Sequence, residues 1–339
     1  MLFNTRCHVK QIQCPGCQKK YSIPDEKLPR GKAVDLPCPA CKTIITIQHD
    51  ENQDIISTQL KDTERGEDLM KKIIKTSKAL PPMPQIIAKA TEVLSSNKAG
   101  FKEVGDVLET DQAMATRVLK LANSAYYGRA TPVSSVQQAS ALLGFQTLLE
   151  LITVVSTSKM MGKRLKGYDM EADTVWKHSL SVAMGAKLIA REKHPELVND
   201  AFNAGLIHDS GMLILDDYVA ENKDIFAQSL DLGKTIQDAE KEMFGFDHSQ
   251  IASEFFKRWK LPESQIHAIR YHHEPSRSGD DMLSYILHVA DDMANNEHTE
   301  RNFTCDKTAH AIVGLSPEET EAMIQEIRES VSHIIQSMG

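Results

Sequence analysis

Long apolar runs are missing from this 339-residue chain. No stretch approaches the roughly 18 consecutive apolar residues that a membrane span requires. The opening MLFNTRCHVK has no apolar core of signal-peptide length. The expected compartment is therefore the cytoplasm, with no membrane partner. An excess of positive charge is also missing: 39 Lys and Arg stand against 47 Asp and Glu, for a net charge of −8. That balance argues against non-specific nucleic-acid binding by the chain as a whole. Unpaired cysteine is scarce. Of six cysteines, only Cys7 and Cys305 fall outside two CxxC pairs, and both read as ordinary thiols. The 41% hydrophobic and 25% charged content suits a globular protein of two or three domains.

What positive charge there is collects at the N-terminus. Residues 1–48 carry eight Lys and Arg against Asp25, Glu26 and Asp35, a balance of +5 that leaves −13 for the rest. The same stretch holds Cys14, Cys17, Cys38 and Cys41 in "CPGCQKKYSIPDEKLPRGKAVDLPCPACKTIITI". In a reducing compartment, two CxxC knuckles separated by 20 residues bring four thiolates around one tetrahedral Zn²⁺. β-prone runs flank them, HVKQIQ before and TIITI after. A module of about 45 residues buries too little apolar surface to fold unaided, so the metal supplies the missing stability. Residues 11–48 resemble the small zinc ribbons found at the N-termini of many bacterial proteins, which implies a closed structural zinc without catalysis. Lys19, Lys20, Lys27, Arg30 and Lys32 could face a phosphate backbone, which leaves nucleic acid as a partner of this module; a solvated face is the commoner use of such charges. Residues 49–66 are polar with charges of both signs and read as a linker.

From residue 67 onward apolar residues recur at three and four, the helical period. EDLMKKIIKTSKAL carries Leu69, Ile73 and Ile74, and Pro81-Pro82-Met83-Pro84 then turns the chain, because consecutive prolines cannot continue a helix. QIIAKATEVL, FKEVGDVLET and QAMATRVLKLA read as three short helices, and SSVQQASALLGF as a capped one ending at Gly144. No strand signal alternates with these helices, so the fold expected is mainly α, an all-helical bundle preceded by a small β-rich module.

LPPMPQIIAKATEVL, LETDQAMATRVLKLANSAYYG and SSVQQASALLGFQTL together resemble the HDOD family, helical output domains related to HD-type phosphohydrolases and found in bacterial signalling proteins. Asn123 and Ser124 match the family's most recognisable dipeptide; by chemistry alone they mark a polar helix end. The resemblance spans roughly residues 70–275. It implies a signal-transduction module that acts through a protein partner whose identity the sequence does not give.

The histidines add a second theme. His178 shares a helical stripe with Val175, Val182, Ala186 and Ile189; His208 follows Ala201 and Ala204; His248 lies with Ile251, Ala252, Phe255 and Trp259. Asp247 and Gln250 stand at cap and third position before that last run. LPESQIHAIRYHHEP ends in His272 and His273. In MLSYILHVADDMA, Asp291 falls on the stripe of Leu283, Leu287 and Ala294, whereas Asp292 falls on a polar side with His288 and Asn295. A lone inward histidine is an ordinary core residue, but six ionisable groups on inward faces, with Asp209 beside His208, each cost kilocalories unless paired. A shared metal ion pairs them all, and a mixed His/Asp shell suits Fe, Mn, Zn or Ni. Inherited packing without metal is the plainer alternative.

The order His178, His208-Asp209, Asp291 resembles the H…HD…D pattern of the HD hydrolases. His248, His272 and His273 match further ligands of the two-metal cyclic-dinucleotide phosphodiesterase branch. That resemblance implies a metal-dependent phosphohydrolase acting on a phosphodiester or nucleotide, as an alternative to partner binding. Active relatives read HDIGK with a phosphate-holding lysine and carry a GYP motif; here Met212 occupies the lysine position and Gly-Tyr-Pro does not occur. Losing a cation that neutralises developing charge removes several kilocalories of transition-state stabilisation, so the expected module is non-catalytic.

SPEETEAMIQEIRESVSHIIQSM closes the sequence with Ser316 as cap, Pro317 at the first helical position and Glu319 three after the cap. Met323, Ile327, Val331, Ile334 and Met338 form one stripe expected to dock back on the bundle. The reading divides the chain into a zinc ribbon (1–48), a linker (49–66), a helical domain (67–300) and a helical extension (301–339).

Overall fold

The computed structural model describes residues 9–13, 20–24, 33–37 and 44–48 and, beyond them, residues 66–77, 111–127, 132–295, 305–306 and 308–338. The chain separates into two compact units, Met1–Gly66 and Glu67–Gly339. The four ribbon cysteines, Cys7, the proline corner and the QIIAKATEVL and FKEVGDVLET segments lie outside the described residues.

The first unit contains two antiparallel hairpins. β1 (Val9–Gln13) pairs with β2 (Lys20–Pro24) in the register Ile12 to Tyr21, and β3 (Ala33–Pro37) pairs with β4 (Ile44–Gln48) in the register Leu36 to Ile45. β1 and β4 coincide with the β-prone runs of the sequence; β2 and β3 are their partners. Each CxxC pair falls, in sequence, between the two strands of one hairpin.

The second unit is helical throughout its described length. α1 (66–76) buries Ile73 and Ile74. α2 (Gln112–Ala122) begins at Asp111, whose carboxylate accepts from the Met114 N–H, and ends at Asn123. The Asn123 side chain clamps a distant strand of chain: its Nδ2 donates to the Val133 carbonyl (2.9 Å), and its Oδ1 accepts from the Val133 N–H (2.7 Å). The recognisable dipeptide is thus a tether as well as a helix end. α3 (Val136–Leu143) is capped by Ser135, as expected, but the Gln138 side chain reaches back to Ser134, not to the cap residue. α4 (Phe145–Met161) follows directly.

α5 (Ala172–Lys193) is the axle of the bundle, buried on most of its circumference from Val175 to Ala190. α6 (Val198–Ile207) crosses it so closely that a Cβ on Gly205 would lie 2.7 Å from the Ala183 Cα. Only glycine permits that approach. α7 (Ser210–Glu221), α8 (Lys223–Asp231), α9 (Ile236–Phe244), α10 (His248–Trp259) and α11 (Glu263–Tyr271) wrap one side. α12 (Met282–Asn295) packs along α5 from the other. A short α13 (Ala309–Ile312) leads to α14 (Pro317–Met338), whose capping box is complete: Ser316 N–H donates to Glu319, and Glu319 N–H donates to the Ser316 hydroxyl. The stripe of Met323, Ile327, Val331 and Ile334 is buried, and α14 packs on α2 and α5, as the sequence led one to expect. Burial of each such side chain stabilises by roughly 1.5–3 kcal/mol. No helix among the described residues is long and apolar enough to cross a membrane.

Candidate metal centre

Six elements bring their polar groups to one buried point beside α5. His178 projects from the inner face of α5. His208 closes α6, and Asp209 forms the joint between α6 and α7 with φ −92° and ψ 9°, the sparsely populated bridge region where site residues often sit. His248 opens α10, His272 and His273 follow α11, and Asp291 comes from α12. His178, His208, Asp209, His248, His272 and Asp291 are all buried, and the His273 side chain is one-tenth exposed. Every His and Asp expected in the centre is therefore there; the cysteine set lies outside the described residues.

The donor atoms form two sets that share one carboxylate. In the first, His178 Nε2 lies 3.3 Å from His208 Nε2, 3.4 Å from Asp209 Oδ2 and 3.3 Å from Asp291 Oδ1, while His208 Nε2 is 3.0 Å from Asp209 Oδ2. In the second, Asp209 Oδ1 lies 3.3 Å from His248 Nε2 and 3.5 Å from His272 Nε2, and His248 Nε2 is 2.8 Å from His273 Nε2. Metal–ligand bonds of about 2.0–2.2 Å set the donors of one ion about 3–3.5 Å apart, so both sets have coordination spacing. Asp209 Oδ1, His272 Nε2 and Asp291 Oδ2 are buried with no hydrogen-bond partner among the described residues. Donors gathered at these separations, with three of their inward atoms unmatched, fit a cation between them. The residues fit two ions: His178, His208, Asp209 and Asp291 would hold one, and Asp209, His248, His272 and His273 the other. Bound ions there would polarise phosphate oxygens and lower the pKa of a coordinated water.

The outer contacts hold the rings with Nε2 inward. His208 Nδ1 lies 2.8 Å from the Gly205 carbonyl, and His272 Nδ1 lies 2.6 Å from that of Ile269. The Glu240 carboxylate, fully buried, accepts from the His248 N–H (2.7 Å), faces His248 Nδ1 (2.8 Å) and accepts from the Tyr168 hydroxyl (2.5 Å). His288 is buried, contrary to its expected place on a polar side. Its Nε2 accepts from the Asp306 N–H at 2.9 Å, so Nδ1 carries the proton donated to the His272 carbonyl at 2.7 Å. Packing of residues 305–306 over α12 covers a face that the local pattern left open to water. Glu240 was not anticipated, although Ile236, Glu240 and Phe244 recur every four residues, which puts the carboxylate on the apolar stripe of α9.

Charge inside the centre is balanced by protons when no ion is considered. Burial opposes ionisation of Asp209, but His208, His178 and His248 hold its carboxyl well below the usual carboxylate range. Burial also opposes the charge on His248, yet Glu240 and Asp209 raise it well above the ordinary imidazole value; Asp209 and Asp291 likewise raise His208 against its burial. His273 is pushed well below that value by burial and then by His272 and His248, so it presents a neutral lone pair. Metal binding would therefore displace protons from the centre.

Two spaces border it. A cavity of about 20 Å³ lies among Met170, Thr174, Val175, His178, Ser179, Asp209 and Met212, room for little more than one water. A wider cleft of about 450 Å³ ends on the outer edge of His273 and is lined also by Thr235, Gln237, Lys241, Glu274 and Arg277. Its cations are engaged: Lys241 Nζ lies 3.1 Å from Asp247 and 3.2 Å from Glu274, and Arg277 lies 2.6 Å from Glu274. Burial and the adjoining Asp292 carboxylate push the Cys305 thiol up to about 12.

The second unit is thus an all-helical bundle that gathers five imidazoles and two carboxylates on crossed helices. Comparison with known proteins places it: the HDOD domain matches residues 80–275 and a zinc-ribbon domain matches residues 11–46. The chain belongs to the HDOD family and carries an N-terminal zinc ribbon. An uncharacterised protein of Treponema pallidum (strain Nichols) is 24% identical over 222 residues, 62% of this chain and 41% of its own length. The chain thus spans less than half of that relative. The crystal structure of an HDOD domain protein of unknown function from Geobacter sulfurreducens matches 80% of this chain and 98% of its own at 26% identity and a TM-score of 0.68. A Marinobacter aquaeolei protein provisionally named for signal transduction (22% identity, 82% of this chain and 66% of its own, TM-score 0.64) has a similar fold. So does a Shewanella amazonensis protein provisionally named a metal-dependent phosphohydrolase (19%, 82% and 99%, TM-score 0.56).

Proposed function

We propose that this chain is a bacterial signal-transduction module in which the HDOD domain holds two ions of the Fe, Mn, Zn or Ni class and acts by binding a protein partner, not by hydrolysis. Cys14, Cys17, Cys38 and Cys41 hold a structural zinc in the ribbon, and the module works in the cytoplasm. One observation supports the non-catalytic reading above the rest: the donors of the centre are complete, but the space at His178 and Asp209 takes about one water and is walled by Met212 where a phosphate-holding cation would stand. A phosphodiester has no seat there. The name of the Marinobacter structure agrees with a signalling role.

The cleft ending on His273 favours a second reading, a metal-dependent phosphohydrolase approached from that side. One experiment separates the two. The full chain is analysed for metals and assayed with bis(p-nitrophenyl) phosphate, beside Asp209→Ala and Met212→Lys. The expected result is more metal than the ribbon's single zinc, reduced by Asp209→Ala, with no turnover above free metal in any form. Turnover by the wild type that Asp209→Ala abolishes establishes the enzyme; turnover gained in Met212→Lys shows that the missing cation, and not the lack of space, was the obstacle.

A further inference from the structure

Beyond α12 a different set of donors meets. Asp292 follows Asp291 in sequence but points away from the main centre, since consecutive helical residues diverge by about 100°. Its Oδ2 lies 3.0 Å from His310 Nε2 on α13. The Cys305 sulfur, a carboxylate oxygen of Asp292 and a ring nitrogen of His310 all lie within 4.8 Å of one another. The Asp292 and His310 side chains are about a quarter exposed, so the group is reachable from solvent.

His310 and Asp292 meet as an imidazole and a carboxylate, and the Cys305 sulfur lies beside both. The Thr320 hydroxyl donates to the Ser316 carbonyl at 2.9 Å and its oxygen lies 3.4 Å from His310 Nδ1, on the ring edge opposite Asp292. A sulfur, an imidazole and a carboxylate are the donor set of a zinc-type ion. Thr320 stands behind His310 Nδ1 and leaves Nε2 turned toward the other two donors. Zn–S and Zn–N bonds of about 2.3 and 2.0 Å set such donors about 3.5 Å apart, against a present spacing within 4.8 Å.

The geometry points to a separate site for one zinc-type divalent ion, held by Asp292, Cys305 and His310 with its remaining position open to water. The ion fastens Cys305 and His310 to α12 next to a donor of the main centre. The Asp306 N–H to His288 bond is the metal-independent half of the same attachment.

The full chain, dialysed against micromolar zinc, tests this. Wild type binds one zinc more per chain than Cys305→Ser or His310→Gln. In wild type, zinc slows alkylation of Cys305 by iodoacetamide at least tenfold, read by peptide mass spectrometry, and a chelator restores it. Asp209→Ala loses metal from the main centre but keeps that protection, which separates failure of this site from failure of the proposed function. Equal zinc counts in wild type and both variants, or alkylation of wild-type Cys305 at the same rate with and without zinc, overturns the assignment. The alkylation arm uses the unaltered protein, so a variant that fails to fold does not blunt it.

Discussion

Gly211 offers a sharp handle on the main centre. It is the second residue of α7, two after Asp209, and a Cβ built there would lie 1.9 Å from the His248 carbonyl oxygen and 2.9 Å from the His248 Cα. Ordinary contact begins at 3.4 Å, so Gly211→Ala must part α7 and the start of α10 by about 1.5 Å. Those two elements carry Asp209 Oδ1 and His248 Nε2, now 3.3 Å apart. The expected result is that the second donor set is spread beyond the reach of one ion, while the first, which does not use His248, is disturbed less. Forcing a methyl into a packed contact costs about 1–3 kcal/mol, a fall in melting temperature of roughly 2–4 °C per kcal/mol for a unit of this size. The assay is metal content per chain with a thermal melt. Gly233→Ala is the control: at φ +84° it strains the backbone but meets nothing within 4 Å, so it lowers the melting temperature and leaves the metals in place. The reasoning is refuted if Gly211→Ala retains the full metal content at the wild-type melting temperature.

Three more perturbations follow. Glu240→Gln removes the negative charge behind His248 at nearly constant shape and should weaken metal affinity by about 10- to 100-fold in competition with a chelator, with little change in secondary structure. Asp247→Asn keeps a capping oxygen but removes a carboxylate that, despite burial, is lowered by His248, Lys241 and Ser249; a depressed folded pKa stabilises above the unfolded value of about 3.9. Its urea-melt deficit against wild type is therefore full near neutrality and closes as pH falls through the folded value. Asn123→Ala strips both hydrogen bonds from the Val133 backbone and should cost about 1–3 kcal/mol in a thermal melt; an unchanged melt would show that the tether is idle.

Periodicity carried the sequence reading a long way, for a physical reason. His178, His208, His248 and Asp291 each interrupt an apolar stripe of their own helix, so local spacing alone turns them inward. The caps at Ser135, Asp247 and Ser316 are equally local, written in four consecutive residues. What was not legible depends on partners distant in the chain. Glu240 receives the Tyr168 hydroxyl across 72 residues, and His288 is buried because residues 305–306 lie over it. Cys305 looks solitary until α12 and α13 bring Asp292 and His310 beside it. Nor does a sequence disclose that Gly205 and Gly211 are glycines because of a neighbouring backbone: each reads as a small residue in a helix, and only the crossing shows what a methyl would strike.

The centre bears on folding whether or not it bears on chemistry. Removing a partner from a buried polar group costs about 1–3 kcal/mol, more for a charged one, and here three orphaned atoms lie among seven ionisable side chains. Without ions the balance falls to protons on His208 and His248, drawn there by Asp209 and Glu240. Protons neutralise the carboxylates but leave the His272 nitrogen unmatched and set imidazoles side by side. Two divalent ions would satisfy every inward atom at once. Drift without function would readily replace such a cluster with apolar residues, because a well-packed hydrophobic substitute is often as stable as a buried ionic group or more so. Here all seven donors, the Glu240 brace and the two glycines that let the helices close on them are present together, with Met212 beside them. On the proposed reading that combination would keep a grip on metal without a grip on phosphate, which suits a module that reports on the occupancy of its centre better than one that turns over a substrate.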